Sequence, residues 1–193
     1  IKADMNCASM VISTTRAISV VGNERYTKNL FEEIFDNGKV SNQTVGIILQ
    51  SIKDGTSESQ YFHLFGDPGM KIPMPRDTVL SLTMSPETLK TLDKGTFIGN
   101  QMTIAESGNG YVSLIDADRN VVRSYDVSSQ TYSLSYSLPG ATLFRGQFSF
   151  SGSSFEGDIR IPLDISYSNS PSRLIIYLND DNKDLIGVIK SLK

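Results

Sequence analysis

The chain has 193 residues, 39% hydrophobic and 20% charged, with a formal net charge of -3. That length holds one large core or two modest ones, and the acidic balance, with no cluster of Lys and Arg, argues against a sequence-independent nucleic-acid binder. No run reaches the ~18 apolar residues of a membrane helix and no charged-then-apolar leader opens the chain, although a start at Ile1 reads as a fragment or a processed form.

The first 75 residues alternate between strand and helix. "ASMVISTTRA", residues 8–17, has the β-branched content of a strand buried on both faces. Asn23 is placed to cap "ERYTKNLFEEIFDN", where Tyr26, Leu30, Ile34 and Phe35 form one apolar stripe and Gly38 stands at the C-terminal end. Ser41 is placed to cap "NQTVGIILQSIKD", with Val45, Ile48, Leu49 and Ile52 on one face and Gly55 closing it. In "YFHLFGDPGMKIPMP", residues 61–75, an apolar strand runs into Gly66-Asp67-Pro68-Gly69, where proline presets φ and glycine accepts a positive φ. The order strand, helix, helix, strand is that of an α/β layer.

A linker from Pro73 to Asp77 separates this segment, 1–75, from a second one, 76–193, in which helical periodicity gives way to short alternating runs. "GYVSLI" and "VVRSYDV" flank Asp116-Ala117-Asp118-Arg119-Asn120, which reads as a hairpin turn. In "LFRGQFSF", Phe144, Gly146, Phe148 and Phe150 share one face, and Ser151-Gly152-Ser153 turns the chain into "FEGDIRI". Roughly seven such strands predict an all-β immunoglobulin-like sandwich.

Together these stretches resemble a known family. The small-residue strand ending in "STTR", two helices, and a last strand finishing in "LFGDPGMKI" are similar to the C-terminal end of gingipain-type cysteine peptidases, which are caspase-like in fold. "ETLKTLDKGTFIGNQM", "LFRGQFSFSGSSFEGDIRIPLDISY" and "RLIIYLNDD" are similar to the region C-terminal to the peptidase domain in the type IX secretion sortases of Bacteroidetes. The resemblance spans nearly the whole chain. It implies an α/β remnant of the peptidase domain joined to an immunoglobulin-like module, in a secreted or cell-surface protein on the outer-membrane exterior. It also implies that the catalytic histidine and cysteine, base and nucleophile of the family, lie upstream, so that no catalytic residue is assigned here and this chain is inactive alone. Cys7 stands where the family has a small residue, and His63 lies inside the final strand; neither matches a catalytic position.

With one cysteine and one histidine there is no internal disulfide, and the usual ligands of structural zinc are missing. Cys7 and His63 make a dyad of their own only if their strands are neighbours; packing is the simpler role of each. Arg16, ending the first strand, is a candidate for a substrate cleft, with a salt bridge to Asp67 or another carboxylate as the plainer role. Gly66, Asp67 and Pro68 form a structural turn. Asp116, Asp118 and Asn120 have the first spacings of a calcium loop but lack its glycine and its terminal glutamate, so no cofactor is expected and calcium is only weakly supported. Asp180, Asp181, Asn182 and Asp184 read as a solvated loop. Asn42-Gln43-Thr44 is a sequon by pattern, better explained by helix capping.

The expected function is that of the C-terminal portion of an exported gingipain-like cysteine endopeptidase, sortase-like and acting on C-terminal sorting signals of secreted cargo. Expected partners are the upstream part of the same peptidase or another copy of the chain, and cargo or a secretion-system component. The alternative is a noncatalytic adhesion or carbohydrate-binding module, with Tyr111, Tyr125, Tyr132, Tyr136, Tyr167 and Tyr177 as platform candidates in a chain without tryptophan. Without preceding strands the first strand has an open edge and an uncovered apolar face, an aggregation liability.

Overall fold

The computed structural model describes residues 10–36, 39–53, 55–56, 58–127, 129–163, 165, 170–180 and 182–193. They fall into two units, Ile1–Arg76 and Asp77–Lys193. Gly38, Cys7, Tyr167 and Asp181, singled out above, lie outside the described residues.

The first unit runs β1 (Met10–Thr14), α1 (Val20–Ile34), β2 (Phe35–Asp36), β3 (Lys39–Val40), α2 (Val45–Ser51), a 3₁₀ turn (Ser59–Tyr61) and β4 (Phe62–Gly66). The expected strand-helix-helix-strand order is present, with β2 and β3 as a small extra hairpin. α1 begins earlier than its stripe predicts. Ser19, not Asn23, is the N-cap, and its Oγ accepts from the Gly22 amide at 2.9 Å. α2 by contrast starts later than predicted, at Val45 after Thr44, and Ser41 instead accepts from the Gln43 amide at 3.3 Å.

β1 pairs with β4 antiparallel, placing Val11 opposite Phe65, Ile12 opposite Leu64 and Ser13 opposite His63. One face of this pair joins a core of Tyr26, Val45, Leu49, Ile52 and Phe62, with Met10, Ile12 and Leu64 against it. Tyr26 and Phe62 stack with ring centroids 3.5 Å apart. The other face is open: Val11 is 48% exposed and Phe65 58%. β1 is therefore buried on one face, not on both as its β-branched run predicts, because among the described residues both helices supply their apolar stripes to the same side.

The second unit is built of strands: β5 (Asp77–Thr78), β6 (Ser81–Ser85), β7 (Lys94–Asn100), β8 (Ser107–Ile115), β9 (Arg119–Val127), β10 (Gln130–Leu138), β11 (Thr142–Ser151), β12 (Ser154–Arg160), β13 (Ser172–Asn179) and β14 (Asp184–Leu192). The all-β expectation holds. In place of two hydrogen-bonded sheets, eight strands form one continuous ladder in the order β5-β14-β13-β8-β11-β12-β7-β6. β5 and β6 end that ladder at opposite edges although two residues separate them, and those two residues bond to both sides: the Val79 amide donates to the Ile186 carbonyl at 3.1 Å and the Leu80 amide to the Asn100 carbonyl at 2.8 Å. The sheet therefore curls until its edges meet, around a core that includes Phe97, Leu114, Phe155, Ile159, Leu174 and Leu178.

Opposed phenylalanine and glycine make that curl possible. Phe155 stands opposite Gly99, Phe97 opposite Gly157, Phe148 opposite Gly110 and Phe150 opposite Gly108. A Cβ on Gly99 or Gly110 would lie 2.2 Å from the facing phenyl ring. Each ring thus covers the backbone across the ladder, and the concave side has room for it.

The reading of residues 116–120 as a turn joining paired strands is corrected by the register. β8 pairs with β11 and β13, while β9 pairs only with β10. Residues 116–141 are an excursion between β8 and β11, closed at its base where the Asp116 amide donates to the Ala141 carbonyl at 2.8 Å.

Candidate functional site

In the first unit a cleft of about 280 Å³ lies between α2 and β4, with Leu49 and Phe62 as apolar lining, Gly46 and Pro68 at the turn, and Lys53 and His63 as its ionisable groups. Its shape follows from the Gly66-Asp67-Pro68-Gly69 turn. Gly66 has φ 150°, a conformation reserved for glycine. The Asp67 carboxylate accepts from the Gly69 amide at 2.8 Å, and the Asp67 carbonyl accepts from the Met70 amide at 3.2 Å, so the expected structural turn is closed twice.

The turn also has a role that sequence reasoning missed. The first amides of α2 have no intrahelical partner, and Thr44 makes no side-chain cap. Instead the Pro68 carbonyl accepts from the Gly46 amide at 2.9 Å and the Met70 carbonyl from the Val45 amide at 2.8 Å. Gly46 permits this approach: a Cβ there would lie 2.8 Å from Pro68 Cβ and 2.9 Å from its carbonyl oxygen. A glycine inside an apolar helical stripe was the available signal of a close backbone contact. Asn42, first residue of the sequon, accepts from the Lys71 ammonium at 2.8 Å and does not cap the helix.

Arg16 is not among the residues lining the cleft. Its guanidinium lies over the Tyr61 ring, 4.9 Å from the centroid, and donates to the Tyr61 hydroxyl at 3.4 Å. A bridge to Asp67 is ruled out by the pairing: antiparallel β1 and β4 put Arg16 at the Tyr61 end and Asp67 at the Met10 end of the two-stranded sheet. For the same reason the strands' carboxyl ends point opposite ways, so the argument that placed Arg16 at a shared ligand end does not apply to this pair. At the start of α1, the Ser19 amide donates to the Glu58 carboxylate at 3.1 Å. The hydrogen bonds from Ser19 first, and the charge of Arg25 after them, hold Glu58 below its ordinary range.

Chemically, the cleft joins an imidazole and an ammonium to an apolar floor and supplies no carboxylate or thiol. Cys7, considered with His63 as a dyad, lies outside the described residues. Among the described residues no three His, Cys, Asp or Glu side chains are grouped to hold a metal ion. The three residues with calcium-loop spacing are each engaged within the protein: Asp116 accepts from the Ala117 amide at 2.8 Å, Asp118 pairs with Arg173, and Asn120 accepts from Ser137 at 2.7 Å. Asp180 accepts from the amides of Asn182 and Lys183 at 2.7 and 2.6 Å, which lowers its pKa and fixes the β13–β14 turn. Among the described residues no helix is long and apolar enough to cross a membrane.

The model of peptidase family C25 matches residues 1–73. Among solved structures, dimeric latent PorU from Porphyromonas gingivalis is similar over 95% of this chain and 19% of its own, at 18% identity and a TM-score of 0.50. The sporulation control protein Spo0M from Bacillus subtilis is similar over 58% of this chain and 47% of its own, at 11% identity and a TM-score of 0.32, which carries no argument. No curated protein matches the chain. The chain thus spans 19% of the PorU chain, and at that identity the likeness shows fold alone. Residues 1–73 thus match the pattern of peptidase family C25, in a chain whose fold is similar to part of PorU.

Proposed function

We propose that this chain is the noncatalytic C-terminal portion of an exported gingipain-like cysteine endopeptidase, sortase-like in acting on the C-terminal sorting signals of secreted cargo. The observation that carries the reading is the open face of β1 and β4 in a segment of peptidase family C25: Val11 and Phe65, directly opposed, are exposed where an α/β domain is covered. The upstream part of the same peptidase, which supplies the catalytic histidine and cysteine in this reading, covers that face; a second copy of the chain is the other candidate, and PorU was crystallised as a dimer. The cleft beside His63 then serves architecture, and the curled sheet buttresses the peptidase domain and docks cargo or a secretion component at the cell surface. The immunoglobulin-like reading of that unit rests on its alternating strands, here joined in one curled sheet.

The test is an intact-mass inventory of the purified sample coupled to a fluorogenic peptide assay with and without a thiol-alkylating reagent. The expected result is an inert 193-residue chain, with alkylation-sensitive cleavage only when a second chain bearing a reactive cysteine is present. Alkylation-sensitive cleavage by the 193-residue chain alone would overturn the proposal, because it would put the nucleophile at Cys7.

A further inference from the structure

β9 and β10 leave the eight-stranded sheet and pair only with each other, nine residues on each side. A lone two-stranded ribbon is marginal in water unless something covers it. Directly opposed residues share a face. On one face the pairs are Asn120 with Ser137, Val122 with Ser135, Ser124 with Ser133, and Asp126 with Thr131, all polar except the exposed Val122. Two of these pairs are hydrogen-bonded side chain to side chain: Ser137 donates to Asn120 at 2.7 Å and Thr131 to Asp126 at 2.6 Å. The other face pairs Val121 with Tyr136, Arg123 with Leu134, and Tyr125 with Tyr132. There Tyr125 is 50% exposed, Tyr132 45% and Leu134 54%, and the two tyrosine rings stack at 5.8 Å.

Aromatic residues and arginine are the types that dominate the centres of protein interfaces. The charge on this face is of one sign. Arg119 and Arg123 lie on it, its described positions include no carboxylate, and neither arginine has an ion-pair partner among the described residues. Two copies packed face to face would bring four guanidinium groups together with no countercharge, which disfavours self-pairing. We propose that the tyrosine and arginine face of the β9–β10 ribbon docks an acidic segment of another protein, extended and alternating in carboxylate and apolar side chains. Its apolar residues pack on Tyr125, Tyr132 and Leu134 while its carboxylates reach Arg119 and Arg123, for which guanidinium geometry is suited. The assignment rests on the docking role proposed for this unit, and its readout does not involve peptidase activity, so either can fail alone.

The experiment uses the full chain and two fluorescein-labelled peptides, one alternating glutamate with leucine and one alternating lysine with leucine, read by anisotropy. The glutamate peptide binds at least about tenfold more tightly, and raising salt to about 1 M removes most of that difference. Arg123→Glu reverses the preference, which a merely structural role would not do. Tyr125→Ser with Tyr132→Ser weakens both peptides, with an unchanged circular dichroism spectrum as the folding control. Equal binding of the two peptides, or an unaltered preference in Arg123→Glu, overturns the proposal. So does a wild-type dimer in sedimentation that the double tyrosine variant dissociates, because a second copy would then be the occupant.

Discussion

Gly46→Ala opposes two effects of known sign. Alanine is the better helix former by about 1 kcal/mol, so an isolated helix would gain. In this unit the new methyl would stand 2.8 Å from Pro68 Cβ and 2.9 Å from the Pro68 carbonyl oxygen, against the roughly 3.5 to 4.0 Å of ordinary contact. The turn must retreat by several tenths of an ångström. Overpacking of this kind costs about 1 to 3 kcal/mol. The retreat also stretches the two bonds that satisfy the start of α2, Gly46 to Pro68 and Val45 to Met70, each contributing about 1 kcal/mol. The losses outweigh the gain, and the unit should be destabilised by about 2 kcal/mol.

Ellipticity at 222 nm during urea unfolding is the suitable assay, because both described α-helices lie between residues 20 and 51 and the signal follows the first unit. With an m-value near 1 kcal/mol/M, the midpoint falls by roughly 1 to 2 M. Gln50→Ala, at an exposed position of the same helix, is the control and shifts little. A Gly46→Ala chain at least as stable as the wild type would refute the claim that Pro68 and Met70 cap this helix.

Tyr26→Phe keeps the stack on Phe62 and removes a buried hydroxyl that has no hydrogen-bond partner among the described residues; it should stabilise the first unit by about 1 kcal/mol in the same urea assay, and a loss of that size would mean the hydroxyl is satisfied. Burial also raises the Tyr26 pKa, as it does that of Tyr177, so alkaline titration followed at the phenolate absorbance should find one fewer late-titrating tyrosine in the variant than in the wild type. Val11→Thr with Phe65→Thr replaces the exposed apolar pair with strand-forming polar residues, and should lower self-association in light scattering without altering ellipticity; unchanged scattering would place the adhesive surface elsewhere. Asp158 accepts from Lys94 at 2.8 Å and from Thr96 at 2.8 Å, which lowers its pKa below the ordinary 3.8. Its contribution to stability is present above that ordinary value and lost as pH falls through the lower folded one. Asp158→Asn should therefore flatten the acid limb of the stability profile, and coincident limbs would remove the pairing as its cause.

How far the sequence could be read depended on whether a feature was local. Val45, Ile48, Leu49 and Ile52 form one buried stripe as their spacing requires, and Gly55 closes the segment at φ 77°. The alternation through Phe148, Phe150 and Phe155 gave the strands and their inward faces. Pairing partners were not legible, because alternation states which face is inward and not which strand lies alongside. Residues 116–120 therefore read as a local turn although the chain makes a 26-residue excursion there (141 - 116 + 1) before β11 returns beside β8. The helix caps failed similarly: Asn23 and Ser41 have capping chemistry, but Ser19 and the carbonyls of Pro68 and Met70 hold the amides. In the candidate site, the turn at Gly66 was visible from its residue types, whereas the dependence of α2 on it was a contact between segments more than 20 residues apart.

The two units leave different surfaces unfinished, and this bears on what each can do. The curled sheet brings its end strands together through Val79 and Leu80, so the apolar side chains of its concave face are enclosed and its end strands are short. The ribbon of β9 and β10 leaves Tyr125, Tyr132 and Leu134 exposed together on one face. In the first unit the open surface is the sheet itself: two strands, one covered face, and Val11 against Phe65 on the other. A two-stranded sheet whose outer edges are unpaired among the described residues can be extended by further strands, which is what completing a peptidase domain requires. A ribbon with an aromatic and basic face has no such need for more sheet. Its chemistry suits a surface segment that arrives and leaves, with charge setting the encounter and tyrosine setting the grip. Completion of a domain by one unit and recognition by the other are therefore separable, and variants at Phe65 and at Arg123 should affect different assays.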